Sequence, residues 1–402
     1  MHVIVVGAGV VGCAIAHELA SRGARVRIID PRGTGQGATR ASAGILAPTI
    51  EGHVPALLQL GMRSLARYED FIRRATDDAG QPVEYERSGT LQVALTADEA
   101  DDLCALARTF ADAGVEHALM DSAEARRLEP ALPDDIVRAL LVPRHGYVAV
   151  GALTRALAQA AVNRGAVMSI ERVLGVEGGT APAVTTADGR SEADAVVIAV
   201  GSWTDQIAAP RAAFAPAELR RAKKGAPHET GAGAPREGRA EAPRVDRAGL
   251  YAPPIVKPIR GQLLQVHVEP RVAGRVIWGR QCYAVPWRDG SVLVGATVED
   301  VGFDERSTAA AVSELLAEAF RILPGLRGAS FEEVRVGLRP MTKDELPAVG
   351  RSSTMRGVFY AVGHYRNGVL LAPLTAALVG DLVLEGREGV ELSLTRPARL
   401  GL

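Results

Sequence analysis

Residues 3–30 read VIVVGAGVVGCAIAHELASRGARVRIID, and this stretch decides the fold. A short apolar run over 3–6 enters Gly7, Gly9 and Gly12 at the G-x-G-x-x-G spacing. Val11, Ile15 and Leu19 then recur at the period of a helix, and a second apolar run over 26–29 ends in Asp30. Each part meets one requirement of a dinucleotide. Gly7 permits the tight strand-to-helix turn, Gly9 lets the backbone approach a pyrophosphate, and Gly12 lets helix and strand pack closely. The helix start aims unpaired N–H groups and a partial positive charge at the phosphates, and Asp30 stands where a carboxylate can accept from ribose hydroxyls. Glycine-rich turns alone are common; strand, glycines, helix, strand and acid in this order are not. A secretory signal would need a basic start, which this apolar run lacks.

The remaining composition narrows the field. A chain of 402 residues predicts two domains, at about 100–200 residues each. A net charge of −1 argues against nucleic acid or an anionic membrane as partner. The apolar stretch 369–384 is interrupted by Asp381, and no run is long enough to span a bilayer. Cys13, Cys104 and Cys282 are widely scattered, with neither a disulfide framework nor metal-ligand spacing, which points to a cytoplasmic protein without a metal site.

Residues 31–48, PRGTGQGATRASAGILAP, are too polar and small for a core strand; after a dinucleotide turn they read as backbone lying against a flat ligand. Helical periodicity runs over 57–75, with Leu65, Tyr68 and Ile72 on one face. A strand over 90–95 leads to Thr96, an N-cap with Glu99 at the capping-box position, and a helix to residue 113. A short helix starts at Ser122 and stops at Pro130. A helix over 153–162 and a strand over 167–173 precede the wholly apolar strand 195–200, which ends in Gly201-Ser202-Trp203. Residues 208–254, dominated by Ala, Gly, Pro and Arg, show neither period and read as a disordered insertion. Strands follow over 261–268, 283–287 and 291–297, with Asp289-Gly290 as a hairpin turn, then a helix over 309–323 and a strand over 331–336. A final strand over 358–362 passes through GHYRNGVLLAP, residues 363–373, into a helix over 369–385. The pattern predicts α/β plus α+β: a Rossmann-like dinucleotide-binding domain with a second domain on a largely antiparallel sheet. Residues 1–85 with 145–207 and 335–402 form the first, and 86–144 with 255–334 the second.

Taken together, GAGVVG with Asp30, GATRASAGILAP, VGSW, CYAVPW, GLRPMTKDELPAVG and GHYRNGVLLAPLTAALVGDLV resemble the flavin-dependent amine oxidases of the D-amino-acid-oxidase type. Within that family the likeness is strongest to the glycine oxidases of bacterial thiamine synthesis. The resemblance implies non-covalent FAD rather than NAD. Gly7, Gly9, Val10, Val11 and Gly12 would hold its pyrophosphate, Asp30 and Pro31 the adenosine ribose, and Val173 the adenine end through its backbone. Ala38, Thr39, Ala43, Gly44 and Ile45 would line the flavin side, near Gly201. His364, Tyr365, Arg366, Asn367, Gly368, Val369 and Leu370 would wrap the isoalloxazine, with the helix start stabilising negative charge on the reduced ring.

The resemblance also places Tyr283, Arg339 and Arg366 at an amino-acid site, with Arg339 and Tyr283 as the residues on which catalysis depends. A planar, charged α-carboxylate is what a guanidinium pairs with bidentately, and a phenol adds a second donor. The implied reaction takes glycine, sarcosine or a small D-amino acid and O2 to an imine and H2O2, and supplies iminoglycine for a thiazole ring. No general base is obligatory, and His364 is read as structural. Ile45, Val298 and Met341 occupy pocket-adjacent positions where relatives often carry Met, Met and Gly, a difference that bears on substrate choice. The resemblance leaves room for a homo-oligomer and for a thiazole synthase partner. Two other functions stay open at this stage: a dehydrogenase passing electrons to a quinone or partner subunit, and a silent flavin-binding assembly subunit.

Overall fold

The computed structural model describes residues 1–51, 54–207 and 254–402. The segment 208–254, expected as a disordered insertion, falls outside them except for Pro254.

The opening apolar run forms the strand His2–Val6, and the helix Val10–Ser21 and the strand Arg25–Ile29 follow it. His2–Val6 is central in a six-stranded sheet of order Ala348–Arg351, Val358–Val362, Ala195–Ile198, His2–Val6, Arg25–Ile29, Val167–Ser169. All neighbours are parallel except Ala348–Arg351, which runs antiparallel to Val358–Val362. The two-residue period of the first strand sends alternate side chains to opposite faces. Val3 and Val5 join a core with helices Val10–Ser21, Val150–Asn163 and Gly368–Leu384. Ile4 and Val6 join a second core with Val176 and Val184, from a three-stranded meander that covers the other face. The apolar strands are thus buried on both sides, by helices on one and by a small sheet on the other.

The eight-stranded sheet has the order Ser330–Met341, Lys257–His267, Ser291–Gly295, Tyr283–Pro286, Val276–Trp278, Thr90–Ala94, Arg138–Val142, Ala118–Asp121. Its pairings are antiparallel apart from Val276–Trp278 against Thr90–Ala94. Helix Ala309–Ile322 packs Leu315, Ala319 and Ile322 on Leu264, Val292 and Val294 of one face. The opposite face, with Leu263, Val285 and Leu293, meets Ala43 and Tyr147 at the junction with the first sheet. The fold is the mixed α/β and antiparallel architecture expected.

Several element expectations are corrected. The helix expected over 57–75 is two, Pro55–Leu65 and Tyr68–Ala79, because Arg67 N–H bonds to Ser64 O at 3.0 Å and tightens the chain into a turn. Leu65, Tyr68 and Ile72 remain buried, since the turn redirects the second helix onto the same core. The strand expected over 167–173 ends at Ser169. Glu99 accepts from Leu95 N–H at 2.8 Å, one residue before the N-cap, while Thr96 Oγ1 accepts from Glu99 N–H at 3.3 Å. The strand expected over 331–336 extends to Met341, straddles residue 335 and pairs along its length with Lys257–His267. Arg339 therefore stands on a strand, opposite Ile259.

Candidate active site

The two sheets enclose a cavity of about 730 Å³ between them. One end is built by the first strand-to-helix turn. Gly7 has φ +110°, and a Cβ there would lie 2.4 Å from Ala199 O, so only glycine fits. A Cβ on Gly12 would lie 2.0 Å from Gly7 O, which places Gly12 behind the turn and off the cavity wall. Gly9, Val10 and Val11 line the cavity, and Thr39 Oγ1 accepts from Val10 N–H at 3.1 Å. Thr39 thereby ties the small-residue loop to the helix start. Asp30 accepts from Ala8 N–H at 2.9 Å and from Arg32 N–H at 2.8 Å, leaving carboxylate lone pairs facing the cavity it lines.

Pro31, Ala38, Ala43, Gly44, Ile45, Val173 and Gly201 all line the same cavity. His364, Tyr365, Arg366, Gly368 and Val369 close it from the opposite side. Asn367 and Leu370 do not reach the cavity surface. Asn367 is the N-cap of helix Gly368–Leu384, and Leu370 is turned into the helical core. His364 is buried, shares a hydrogen bond of 3.1 Å with Thr375 Oγ1, and is pushed down to about 4 by burial. It is a neutral ring held in place. Arg366 lies with its guanidinium 5.0 Å from the Tyr365 ring centroid. Of the three pocket-adjacent positions, Ile45 and Val298 line the cavity and Met341 does not.

These residues fit FAD. A helix start with glycines whose missing side chains leave backbone exposed, an acid on the next strand end, and a stretch of small residues beside a second helix start are what an extended dinucleotide requires. Among the described residues no cluster of His, Cys, Asp and Glu could hold a metal, and no helix is long and apolar enough to cross a membrane.

The eight-stranded sheet supplies the remaining wall. Arg339 donates from Nη1 to Thr297 O at 2.8 Å, and no carboxylate among the described residues pairs with it. The rest of its guanidinium is directed by space: a Cβ on Gly261 would fall within 2.4 Å of Arg339 Cζ and both Nη atoms. Tyr283 lies across Gly295, where a Cβ would be 2.6 Å from its hydroxyl oxygen, and its ring packs 5.0 Å from Trp278. Arg339, Tyr283 and the Gly7 turn thus share one cavity.

Three contributors went unnoticed in the sequence. Arg32 stacks 4.2 Å over the Trp203 ring and pairs with Glu305 at 3.2 Å, joining the two halves at the cavity wall. Ser202 donates to Leu338 O at 2.7 Å and braces the strand that carries Arg339. Thr297 acts through its backbone. Glycine inside a strand is the one sequence signal that could have found this neighbourhood, because Gly261 and Gly295 mark close approaches.

The FAD dependent oxidoreductase family model (DAO) matches residues 2–226 and 230–382. A glycine oxidase of Geobacillus kaustophilus is 31% identical, over 98% of this chain and 96% of its own. Its crystal structure superposes with a TM-score of 0.81, covering 96% of this chain and 95% of that one. A bifunctional protein ThiO/ThiG of Nostoc sp. is 32% identical over 97% of this chain, which spans 54% of that relative's length. The crystal structure of an iminodiacetate oxidase from Chelativorans sp. BNC1 matches with TM-score 0.81 at 27% identity, covering 98% of both chains.

Proposed function

We propose, from the premise that the chain belongs to the DAO family of FAD-dependent oxidoreductases and is an FAD-dependent amino-acid oxidase, that its substrate is glycine or a small amine of the same type, sarcosine or a small D-amino acid. The observation that carries the reading is Arg339: a guanidinium at the cavity wall whose hydrogen-bond partner is the neutral Thr297 carbonyl, with no carboxylate among the described residues paired with it. A charge held there without a counter-ion is matched by a ligand that brings its own, and an α-carboxylate does so in the geometry a guanidinium prefers.

The net reaction converts the amino acid, O2 and water to the 2-oxo acid, H2O2 and the free amine, ammonia from a primary amino acid or methylamine from sarcosine, by way of the free imine. Bound FAD supplies the two-electron acceptor for the Cα–H and amine electrons. Arg339 pairs with the carboxylate, and Tyr283 adds a phenolic donor from a strand of the same sheet that also lines the cavity. Together they fix the orientation of Cα, and orientation is the larger part of what this chain contributes. Trp278 and Tyr283 form an aromatic wall that keeps water from the reacting carbon. His364, neutral and bound to Thr375, takes no proton in this scheme. The ThiO/ThiG relative carries a second part beyond the matched half. We take an imine-consuming thiazole synthase as the partner of this chain, in a cytoplasmic route to thiamine.

Purified holoprotein offered glycine, sarcosine, D-alanine and D-proline in air tests this directly. Peroxide formation supports an oxidase. Bleaching of the flavin under anaerobic conditions without peroxide in air indicates a dehydrogenase that hands electrons elsewhere. A yellow protein that none of these amines bleaches overturns the reading.

A further inference from the structure

Beside the clamp lies a group of buried and half-buried polar side chains that the reaction as described does not use. Arg260 is only 4% exposed, yet it is fully charged and fully engaged. Its Nε donates to Glu299 Oε2 at 3.1 Å and Nη2 makes a closer contact with the same oxygen. Its Nη1 donates to Asp304 at 2.9 Å and to the Arg306 carbonyl at 3.1 Å. Glu299 Oε1 accepts from Gln262 Nε2 at 2.8 Å and from Thr297 Oγ1 at 2.6 Å. Thr297 Oγ1 in turn accepts from Gln262 N–H at 2.9 Å, and Thr297 N–H donates to Gln262 O at 3.1 Å. Backbone bonds of 2.8 and 2.9 Å join Arg260 to Glu299 in both directions.

This group touches the substrate wall through Thr297. The N–H and hydroxyl of Thr297 are held by Gln262 and Glu299, and its carbonyl accepts from Arg339 Nη1 at 2.8 Å. An ion pair with its guanidinium buried is a poor source of stability, because the desolvation of that charge offsets much of the attraction. What it can do well is hold a backbone group in one direction. A guanidinium recognises a carboxylate through two parallel N–H groups in one plane, so the direction of its anchoring carbonyl sets the plane offered to the ligand.

We propose that Glu299 is a positioning residue for the substrate carboxylate: through the Thr297 hydroxyl it fixes the Thr297 carbonyl, and through that carbonyl the plane of Arg339. The inference rests on the reading of Arg339 as the carboxylate clamp. Asp300, next in sequence, is outside this chain of contacts; it is exposed and pairs with Lys257.

The test uses holoprotein and glycolate, a two-carbon carboxylate with no amine to oxidise, titrated by the change in flavin absorption, alongside KM and kcat for glycine. Glu299→Gln and Thr297→Val should each weaken glycolate binding and raise KM roughly tenfold, with kcat at saturation within about twofold of wild type. Thr297→Ser keeps the hydroxyl and should restore both values, and Asp300→Asn should leave them unchanged. Wild-type glycolate affinity in Thr297→Val overturns the proposal, even where melting temperature falls, because a merely structural staple would produce that result. If Glu299→Gln fails to fold with Arg260 left to Asp304 as its one carboxylate partner, the Thr297→Val and Thr297→Ser pair decides alone. If Arg339→Ala binds glycolate as tightly as wild type, the clamp itself is misassigned and this proposal falls with it.

Discussion

A methyl group on Gly261 would stand 2.3 Å from Nη1 of Arg339. The two residues lie on adjacent antiparallel strands, and the guanidinium fills the space that the missing side chain leaves. The obstacle a methyl would meet is the far end of a flexible side chain, so the backbone need not move. Gly261→Ala should therefore cost little stability, about 1 kcal/mol or less, while pushing the guanidinium off its station. The expected outcome is a raised KM for the amino acid with an unaltered melting temperature and flavin content. Steady-state kinetics and thermal denaturation of one preparation check both halves.

Arg339 itself should separate charge from shape. Arg339→Lys keeps a cation but loses the planar fork, and Arg339→Ala loses both. Hydrogen bonds to charged groups contribute about 1.5–3 kcal/mol, so KM should rise about tenfold for Lys and about a hundredfold for Ala. The flavin spectrum should stay that of wild type. An unchanged KM in Arg339→Ala would remove the residue from the site.

Acid sensitivity should trace to buried histidines. Burial pushes His364 from 6.5 down to about 4. Burial, with the Arg87 guanidinium nearby, pushes His145 from 6.5 to about 3. Both folded values lie below the unfolded one, so the unfolded chain takes up protons first as the pH falls. Their contribution is complete above 6.5 and is lost progressively toward 4. Each histidine should remove up to roughly 1.4 kcal/mol per pH unit in that window. His145→Gln can keep a bond to Thr49, which His145 Nε2 meets at 2.8 Å, and should flatten the loss by one histidine's share. Urea unfolding at pH 7 and pH 5 measures it.

Asp205 ties together two points distant in sequence. Its Oδ1 accepts from Ile255 N–H at 3.0 Å and its Oδ2 from Val256 N–H at 2.9 Å. Replacing residues 208–253 with a short Gly/Ser bridge should leave folding and flavin loading intact, because the flanks are already joined. Asp205→Ala in that shortened chain should lower stability by about 2 kcal/mol, read as a drop in melting temperature. Failure of the shortened chain to fold would mean that the removed residues carry structure the flanks depend on.

The glycine turn was legible because each glycine answers a steric demand that no other residue meets, as Gly7 does at φ +110°. The wholly apolar strands were equally plain. Ala118–Asp121 and Arg138–Val142 were not, since the first is an edge strand with no buried position that ends in a charge and the second opens on Arg138. The last residues of the strand Ser330–Met341 were hidden because Gly337 and Pro340 interrupt its apolar pattern; Pro340 there offers its carbonyl to Tyr365 N–H at 2.8 Å. Arg339 was found through its motif, but the Thr297 carbonyl that holds it could not be, because a backbone acceptor leaves no trace in residue type. Asn367 and Leu370 show the converse: a motif names a whole stretch, while only some of its residues line the cavity.

The bridge of Arg32 across Trp203 to Glu305 spans from the nucleotide half of the molecule to the loop before helix Ala309–Ile322. Its ionic part is water-exposed, with side chains 37% and 41% accessible, so dissolved ions weaken it. Escape of the prosthetic group should then accelerate with ionic strength while its equilibrium seat at the glycine turn is unchanged. How long this protein stays yellow on dilution becomes a question of latch lifetime rather than of grip.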